Sequence, residues 1–376
     1  MGFAGLIQSR RILVCVGSGG VGKTTTAAAL ALGAARAGKK TLVMTIDPAK
    51  RLANSLGLDR LDQEERRVPD DKIVPGGERV RGSLFAMMLD QARTFDEIVD
   101  DYLADPAARQ RLRQNRIFHQ VATTLAGSHE YAAMAKLWAV AERGHYDLIV
   151  LDTPPTANAL DFLDAPDRLV RGIDSPALQW FAKLYLHHST KVLGLGGAFI
   201  LKRLAKFVGS RFLEDIAGFV GENGPMLIGL RDRAQAVHDL LRQRDVGFVL
   251  IASPEPLSIE ELLFFHHRIV TAGLPLAGFV VNRVHTAGVV PQARADLVAQ
   301  LSARPELRGY SPEDIVQIAA DFDRTYRDFQ ALAEIDARQI GRLRATAAEA
   351  PLVEVPLLDR DVHDVEGLTL IGQYLL

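Results

Sequence analysis

The sequence holds a single cysteine, Cys15, among 376 residues. One cysteine excludes an intrachain disulfide framework, a cysteine-based zinc site and a CxxC redox pair. Ten histidines are present, but they form no HExxH motif and no i,i+4 pair, so a histidine metal centre is not expected. No stretch reaches the roughly 18 uninterrupted apolar residues that a membrane-spanning helix needs. The amino terminus, MGFAGLIQSRR, lacks the apolar core of a secretory signal. Leu6 stands where a myristoylation signal requires Ser or Thr. A cytoplasmic chain is therefore expected. Neither sign of charge is in excess: 44 Lys and Arg face 46 Asp and Glu, a net −2. That balance gives no electrostatic case for a nucleic-acid or membrane-surface partner. Six methionines are too few for a Met-rich promiscuous surface.

What is present is an ordinary globular mixture, 48% hydrophobic and 24% charged. The length suits one large α/β domain with insertions, or two ordinary domains. Short apolar runs at 12–16, 41–46, 84–89, 148–151, 247–251, 278–281 and 352–355 alternate with longer helical patterns. Most are near-continuous and bounded by Gly, Pro or Asp, the pattern of parallel strands covered on both faces. Helices between them imply right-handed βαβ crossovers. The spacing is uneven. Helical inserts are expected at about 93–143 and 168–243, the second broken by glycines at 194–197. A third helical stretch, about 286–350, ends in one long helix before the last strand. Residues 1–376 thus read as one sheet domain carrying a helical subdomain.

Gly17-Ser18-Gly19-Gly20-Val21-Gly22-Lys23-Thr24 fits GxxxxGK[ST]. A strand precedes it, and an Ala-rich, helix-forming segment follows from Thr25. Glycines let successive backbone N–H groups face phosphate oxygens, and the helix N-terminus adds positive potential. Lys23 is expected to bridge the β- and γ-phosphates, and Thr24 to give its hydroxyl to Mg²⁺.

Two later strands end in an acid closely followed by proline: Asp47-Pro48-Ala49-Lys50-Arg51, and Asp152-Thr153-Pro154-Pro155-Thr156. In an open α/β sheet, ligands sit beyond the carboxyl ends of the strands. Asp152 then occupies the position of a carboxylate holding Mg²⁺ through water, and Asp47 is the better candidate to orient an attacking water. The competing reading of each is a turn or helix-capping Asp, common at such junctions.

These motifs together resemble the ArsA-type ATPases. That group contains the arsenite-pump ATPase and the guided-entry targeting ATPase for tail-anchored proteins. It lies within the signal-recognition, MinD and BioD class of P-loop NTPases, with nitrogenase iron protein. The resemblance covers most of the chain. It includes Ser253-Pro254-Glu255-Pro256-Leu257-Ser258, Val281-Asn282-Arg283 and Val355-Pro356-Leu357. It implies a parallel twisted sheet with a helical subdomain, ATP with Mg²⁺, and dimeric hydrolysis whose cycle drives binding or targeting of a partner. It also implies that Asn282 reads the adenine edge and that Pro356 and Leu357 line the base. No aspartate follows Asn282 as in NKxD, which favours ATP over GTP.

Departures from the family pattern matter as much. Members carry a second lysine in KGGVGKT that reaches the partner's nucleotide, and here Ser18 stands there. Either a heterodimer with a lysine-bearing paralogue supplies the cation, or the chain is a catalytically weak nucleotide-binding subunit. Lys50-Arg51 stands where the targeting ATPase has His-Asn, and one of these cations is a candidate to compensate. Pro154, Ala157 and Asn158 likewise depart from that protein's switch II. With Cys15 alone, neither a zinc-clasped dimer nor thiol capture of arsenite carries over, so the anion or metalloid transport alternative is disfavoured. Amphipathic stripes occur at Ala177, Trp180, Phe181 and Leu184, and at Ile200, Leu204, Phe207 and Val208, the second opposed by Lys202, Arg203 and Lys206. They read either as internal packing or as a groove for a hydrophobic or membrane-protein client. The adjacent pairs His187-His188 and His266-His267 point apart on a helix and are expected to be surface or core residues.

Overall fold

The computed structural model describes residues 2–47, 49–74, 80–115, 128–153, 159–176, 219, 223–286 and 294–376. Its centre is an eight-stranded sheet. The strands are β1 (Ile12–Val16), β2 (Lys40–Thr45), β3 (Arg66–Arg67), β4 (Ser83–Met88), β5 (Leu148–Asp152), β6 (Val246–Ala252), β7 (Leu276–Val284) and β8 (Leu352–Pro356). Their spatial order is β3-β4-β2-β5-β1-β6-β7-β8. Every neighbouring pair is parallel except β3 with β4. The seven apolar runs of the sequence all become strands. The eighth strand was not anticipated: Arg66–Arg67 is two charged residues laid antiparallel on the edge, with no apolar run to announce it.

The sheet is buried on both faces, which is why its strands read as continuous apolar runs. Residues of β1 alternate between two cores. Ile12, Val14 and Val16 pack into one, and Leu13 and Cys15 into the other. The second core is covered by α1 (Ala4–Ser9), α2 (Lys23–Arg36), α3 (Arg51–Ser55) and α4 (Asp70–Ile73). The first is covered in part by α5 (Gln91–Tyr102) and α7 (Ser128–Glu142), with α6 (Pro106–Gln114) between them in sequence. These three lie within or close to 93–143. Asp90 caps α5 by accepting from the Arg93 amide, and Asp105 caps α6. The stretch 168–243 is entered by α8 (Ala159–Ile173) and left by α9 (Gly224–Leu241). The stripes at 177–184 and 200–208, the basic residues 202, 203 and 206, the glycines at 194–197 and His187-His188 lie outside the described residues. So do Pro48 and the 154–158 part of the second acid motif.

Beyond β6, α10 (Pro256–Thr271) carries His266 and His267, and the His266 ring sits edge-on to Phe279, 5.5 Å between centroids. The 286–350 stretch holds α11 (Arg294–Ser302) and the long α12 (Pro312–Thr346), which opens on a Ser311–Asp314 capping box. Asp336 of α12 accepts from the His285 backbone N–H at 2.8 Å, fastening the helix to the end of β7. The chain closes with α13 (Val365–Leu375), whose Leu368, Ile371 and Leu375 are buried in the core that α2 also covers. That burial explains the apolar character of the last residues.

Candidate nucleotide site

Backbone geometry at the end of β1 explains the glycines. A Cβ on Gly17 would lie 2.1 Å from the Ile251 carbonyl oxygen, so the loop runs against β6 as only glycine allows. Gly22 has φ +96°, and a Cβ there would meet the Asn282 amide nitrogen at 2.3 Å. Left-handed backbone and close approach together leave no room for a side chain. Gly22 also N-caps α2, and no side chain caps that helix. The first amides of α2 are therefore offered to the cleft, with the positive end of the helix dipole behind them.

Lys23, the first residue of α2, is buried, and its Nζ donates to the Ser18 carbonyl at 2.7 Å. Burial pulls its pKa down, while Asp152 and then Asp47 act to keep it charged. Thr24 Oγ1 donates to Asp152 Oδ2 at 2.7 Å. Asp152 is wholly buried at the end of β5, and its Oδ2 also accepts from Thr45 Oγ1 at 2.8 Å. Its other oxygen, Oδ1, has no hydrogen-bond partner. Burial lifts this carboxyl to about 6 against the opposing pull of the two threonine hydroxyls and Lys23. An unpartnered buried carboxylate oxygen is costly; here it sits beneath the phosphate loop.

Asp47 lines the cleft, yet its Oδ1 accepts from the Ala49 amide at 2.9 Å, the geometry of a turn aspartate. Its own N–H donates to Thr45 Oγ1 at 3.2 Å. Thr45 thus joins the two acids through one hydroxyl. The sequence reading passed over it; the signal was a hydroxyl residue at the polar end of an otherwise buried apolar strand. Thr153 is another such residue, its Oγ1 donating to the Cys15 carbonyl at 2.8 Å. Cys15 itself is fully buried, and burial followed by the Asp152 charge pushes its thiol pKa far up, so it is held as an inert thiol.

The cleft has a volume of about 530 Å³. Of the residues singled out from sequence, Gly20, Gly22, Lys23, Thr24, Thr25, Asp47, Asn282, Pro356 and Leu357 line it. Asp152 lies behind Thr24. Gly17 and Val21 are buried at the back of the loop, while Ser18 is half-buried and Gly19 exposed at its turn. Ser18 Oγ is 3.5 Å from Ser258 Oγ, which accepts from the Ser253 amide. Asn282 donates from Nδ2 to the Val21 carbonyl at 3.0 Å, tying the end of β7 to the phosphate loop. Leu357 is 44% exposed and donates from its amide to the Val284 carbonyl. Arg51, one of the two cations noted in the sequence, lines the cleft; the sequence reading missed Asn54 and Ser55 on the same face of α3, and Leu358 and residues 360–363, which line it too. Arg283, also on the cleft, holds φ +65°, the single left-handed non-glycine among the described residues.

A glycine loop between a central parallel strand and an uncapped helix, with Lys-Thr at its first turn and an acid on the next strand, defines a P-loop nucleotide-binding α/β protein. The anion-transporting ATPase family profile matches residues 10–293, and the chain belongs to that family. A putative arsenical pump-driving ATPase 1 of Aquifex aeolicus is 21% identical over 97% of this chain and 78% of its own length. The ATPase get3 of Aspergillus terreus is 24% identical over 82% of this chain and 81% of itself. An ATPase ASNA1 homolog of Dictyostelium discoideum is 21% identical over 96% and 88%. The chain is accordingly a nucleotide-binding ATPase. Among the described residues no helix is long and apolar enough to cross a membrane, and no cluster of three or more His, Cys, Asp or Glu could hold a metal on its own.

Proposed function

We propose that this chain is a Mg²⁺-dependent, dimeric ATPase whose nucleotide cycle changes its shape to bind and release a protein partner. The observation that carries the reading is the Thr24–Asp152 pair, with its orphaned Oδ1 beneath a glycine cradle. That donor set fits a hydrated divalent cation better than a structural network, because a structural network would satisfy both oxygens. Thr24 would hold Mg²⁺ directly and Asp152 through water, and the ion would neutralise β- and γ-phosphate charge.

The chain's own groups do the rest. Lys23 leaves the Ser18 carbonyl for the γ-phosphate, and the α2 amides receive phosphate oxygens. Asp47 orients the attacking water once its carboxylate leaves the Ala49 amide. The water oxygen bonds to the γ-phosphorus as the bond to the β–γ bridging oxygen breaks. That oxygen leaves with the electron pair on ADP, and the water proton passes to phosphate or solvent. Asn282 uses one amide hydrogen on Val21 and presents the rest of its amide to adenine, beside Pro356 and Leu357.

Two nucleotides sit at or near a dimer interface, and a hydrophobic client docks on the helical inserts. A heterodimer with a lysine-bearing paralogue is the alternative that Ser18 keeps open. The family name and one relative's name speak of anions and an arsenical pump. A thiol-based metalloid site needs several thiolates, and the sequence has one cysteine, buried.

Steady-state turnover of the purified chain tests the reading. Hydrolysis of Mg-ATP, abolished by Asp47→Asn, together with a doubled light-scattering mass under ATP, is the expected result. No turnover, either alone or with a KGGVGKT-bearing paralogue, would overturn it.

A further inference from the structure

The phosphate loop lacks a second cation at Ser18, and the structure shows where the chain carries another. Arg51 opens α3 directly after the Asp47 turn. On this helix Leu52 and Ala53 are buried and hold it against the core. Residues three and four apart share a helix face, so Arg51, Asn54 and Ser55 together turn to the cleft, where all three line the wall with Lys23, Thr24 and Asp47. The Arg51 side chain is exposed and has no hydrogen bond or ion pair among the described residues.

Three arginines line the cleft: Arg51, Arg283 and Arg360. Arg360 is committed to Glu366 at 2.9 Å. Arg283 follows Asn282 at the end of β7 and is not among the charges that act on Lys23. Only Arg51 is among the charges that act on Lys23, lowering its pKa. Lys50, the neighbouring cation, is exposed and forms no part of the cleft wall. A guanidinium with no partner among the described residues, on the cleft wall with the phosphate lysine and on a segment tied through Asp47 and Thr45 to Asp152, is placed for charge that develops during transfer.

We infer that Arg51 is a catalytic residue, acting within its own chain as the cation that Ser18 does not provide at the transferring phosphoryl group. This rests on the proposed hydrolysis, and it makes a lysine from a partner subunit unnecessary. Its guanidinium would meet phosphoryl oxygens as the bond to the bridging oxygen lengthens, and Arg is suited to that planar, two-point contact.

The test compares wild type, Arg51→Met, which keeps the aliphatic stem, and Lys50→Met. Two readouts are used: kcat for Mg-ATP, and affinity for ADP with aluminium fluoride, a mimic of the transferring phosphoryl group, set against ADP alone. Arg51→Met should lower kcat by about 10²-fold or more and weaken the aluminium fluoride complex in parallel. Its ADP affinity should stay within about threefold, and Lys50→Met should stay near wild type in both readouts. Turnover within about threefold of wild type in Arg51→Met would overturn the inference, as would an equal loss of ADP affinity or an equal loss in Lys50→Met. Turnover by wild type only with a KGGVGKT-bearing paralogue would overturn the inference, whereas if wild type hydrolyses ATP neither alone nor with that paralogue, the proposed function has failed instead. Preferential binding of the aluminium fluoride complex, lost in Arg51→Met, would then still support the assignment; equal binding by both chains would overturn it.

Discussion

The two ends of the nucleotide cleft are built differently. At the phosphate end, main-chain geometry and buried side chains fix nearly everything. Gly17 is pressed against β6, Gly22 against Asn282, Lys23 is folded onto its own loop, and Asp152 is clamped between two threonine hydroxyls. At the end proposed to hold the base, the wall is made of exposed residues near the end of β7 and in the loop after β8: Arg283, Leu357, Arg360, Asp361 and His363. The first end can tolerate few alternatives, because a backbone that presents N–H groups to phosphate demands glycine and a buried cation. The second can be assembled from many residue types, because a planar base asks mainly for a flat apolar neighbour. Chemistry should therefore be concentrated at one end and tolerance at the other.

Substitutions sharpen this contrast, beginning with the strongest. Lys23→Met should reduce kcat by roughly 10³-fold, since it removes a preorganised charge from the transferring phosphate; single-turnover kinetics would read this. Asp152→Asn should lower kcat by about 10²-fold while stabilising the nucleotide-free protein. Asn keeps an oxygen for Thr24 and Thr45, but it no longer buries a charge. A carboxyl lifted from 3.8 to about 6 corresponds to about 3 kcal/mol above pH 6. The sign follows from the raised value. The folded protein holds this proton more tightly than the unfolded chain, so its stability falls as pH rises from about 4 to about 6. The advantage of Asn should be full above about pH 6 and absent below about pH 4, as thermal melts across that range would show.

Gly22→Ala comes next. Left-handed backbone costs an L-residue about 1–2 kcal/mol, and displacement of Asn282 adds to it. Denaturant unfolding should report a loss of about 2 kcal/mol, with nucleotide affinity falling as the loop shifts. Leu357→Ala marks the tolerant end. It trims an exposed side chain, and ADP affinity measured by titration should change by no more than about threefold. A large loss there, or a mild one at Lys23, would break the comparison.

The same difference governs what the sequence revealed. The phosphate loop was legible because its backbone demands leave a residue pattern, and seven strands were legible because burial on both faces leaves continuous apolar runs. β3 was not, since two arginines on an edge form no apolar run. Thr45 was hidden because a threonine in a strand is ordinary until Asp152 is placed across from it by the β2–β5 register. Asp47 was expected near the phosphates, and it lines the cleft with Lys23 and Thr24. Its present bond to the Ala49 amide shows why turn aspartate and water-orienting aspartate look alike in sequence, because one side chain serves both geometries. Arg51 was noted as one of two cations, and only the face of α3 separates it from Lys50. The loop at 358–363 left no trace, since it reaches the cleft through the path of β8 and α13 rather than through any motif.

The central claim, that nucleotide is held chiefly by its phosphates, is tested most directly by calorimetric titration. Mg-ATP would be titrated into the Asp47→Asn chain, which retains the loop but should not turn the ligand over, and into the same chain with Lys23→Met added. The account predicts one saturable site per chain in the first, and binding at least about tenfold weaker in the second, the loss of one charge-assisted contact. Equal affinities in the two chains would contradict it.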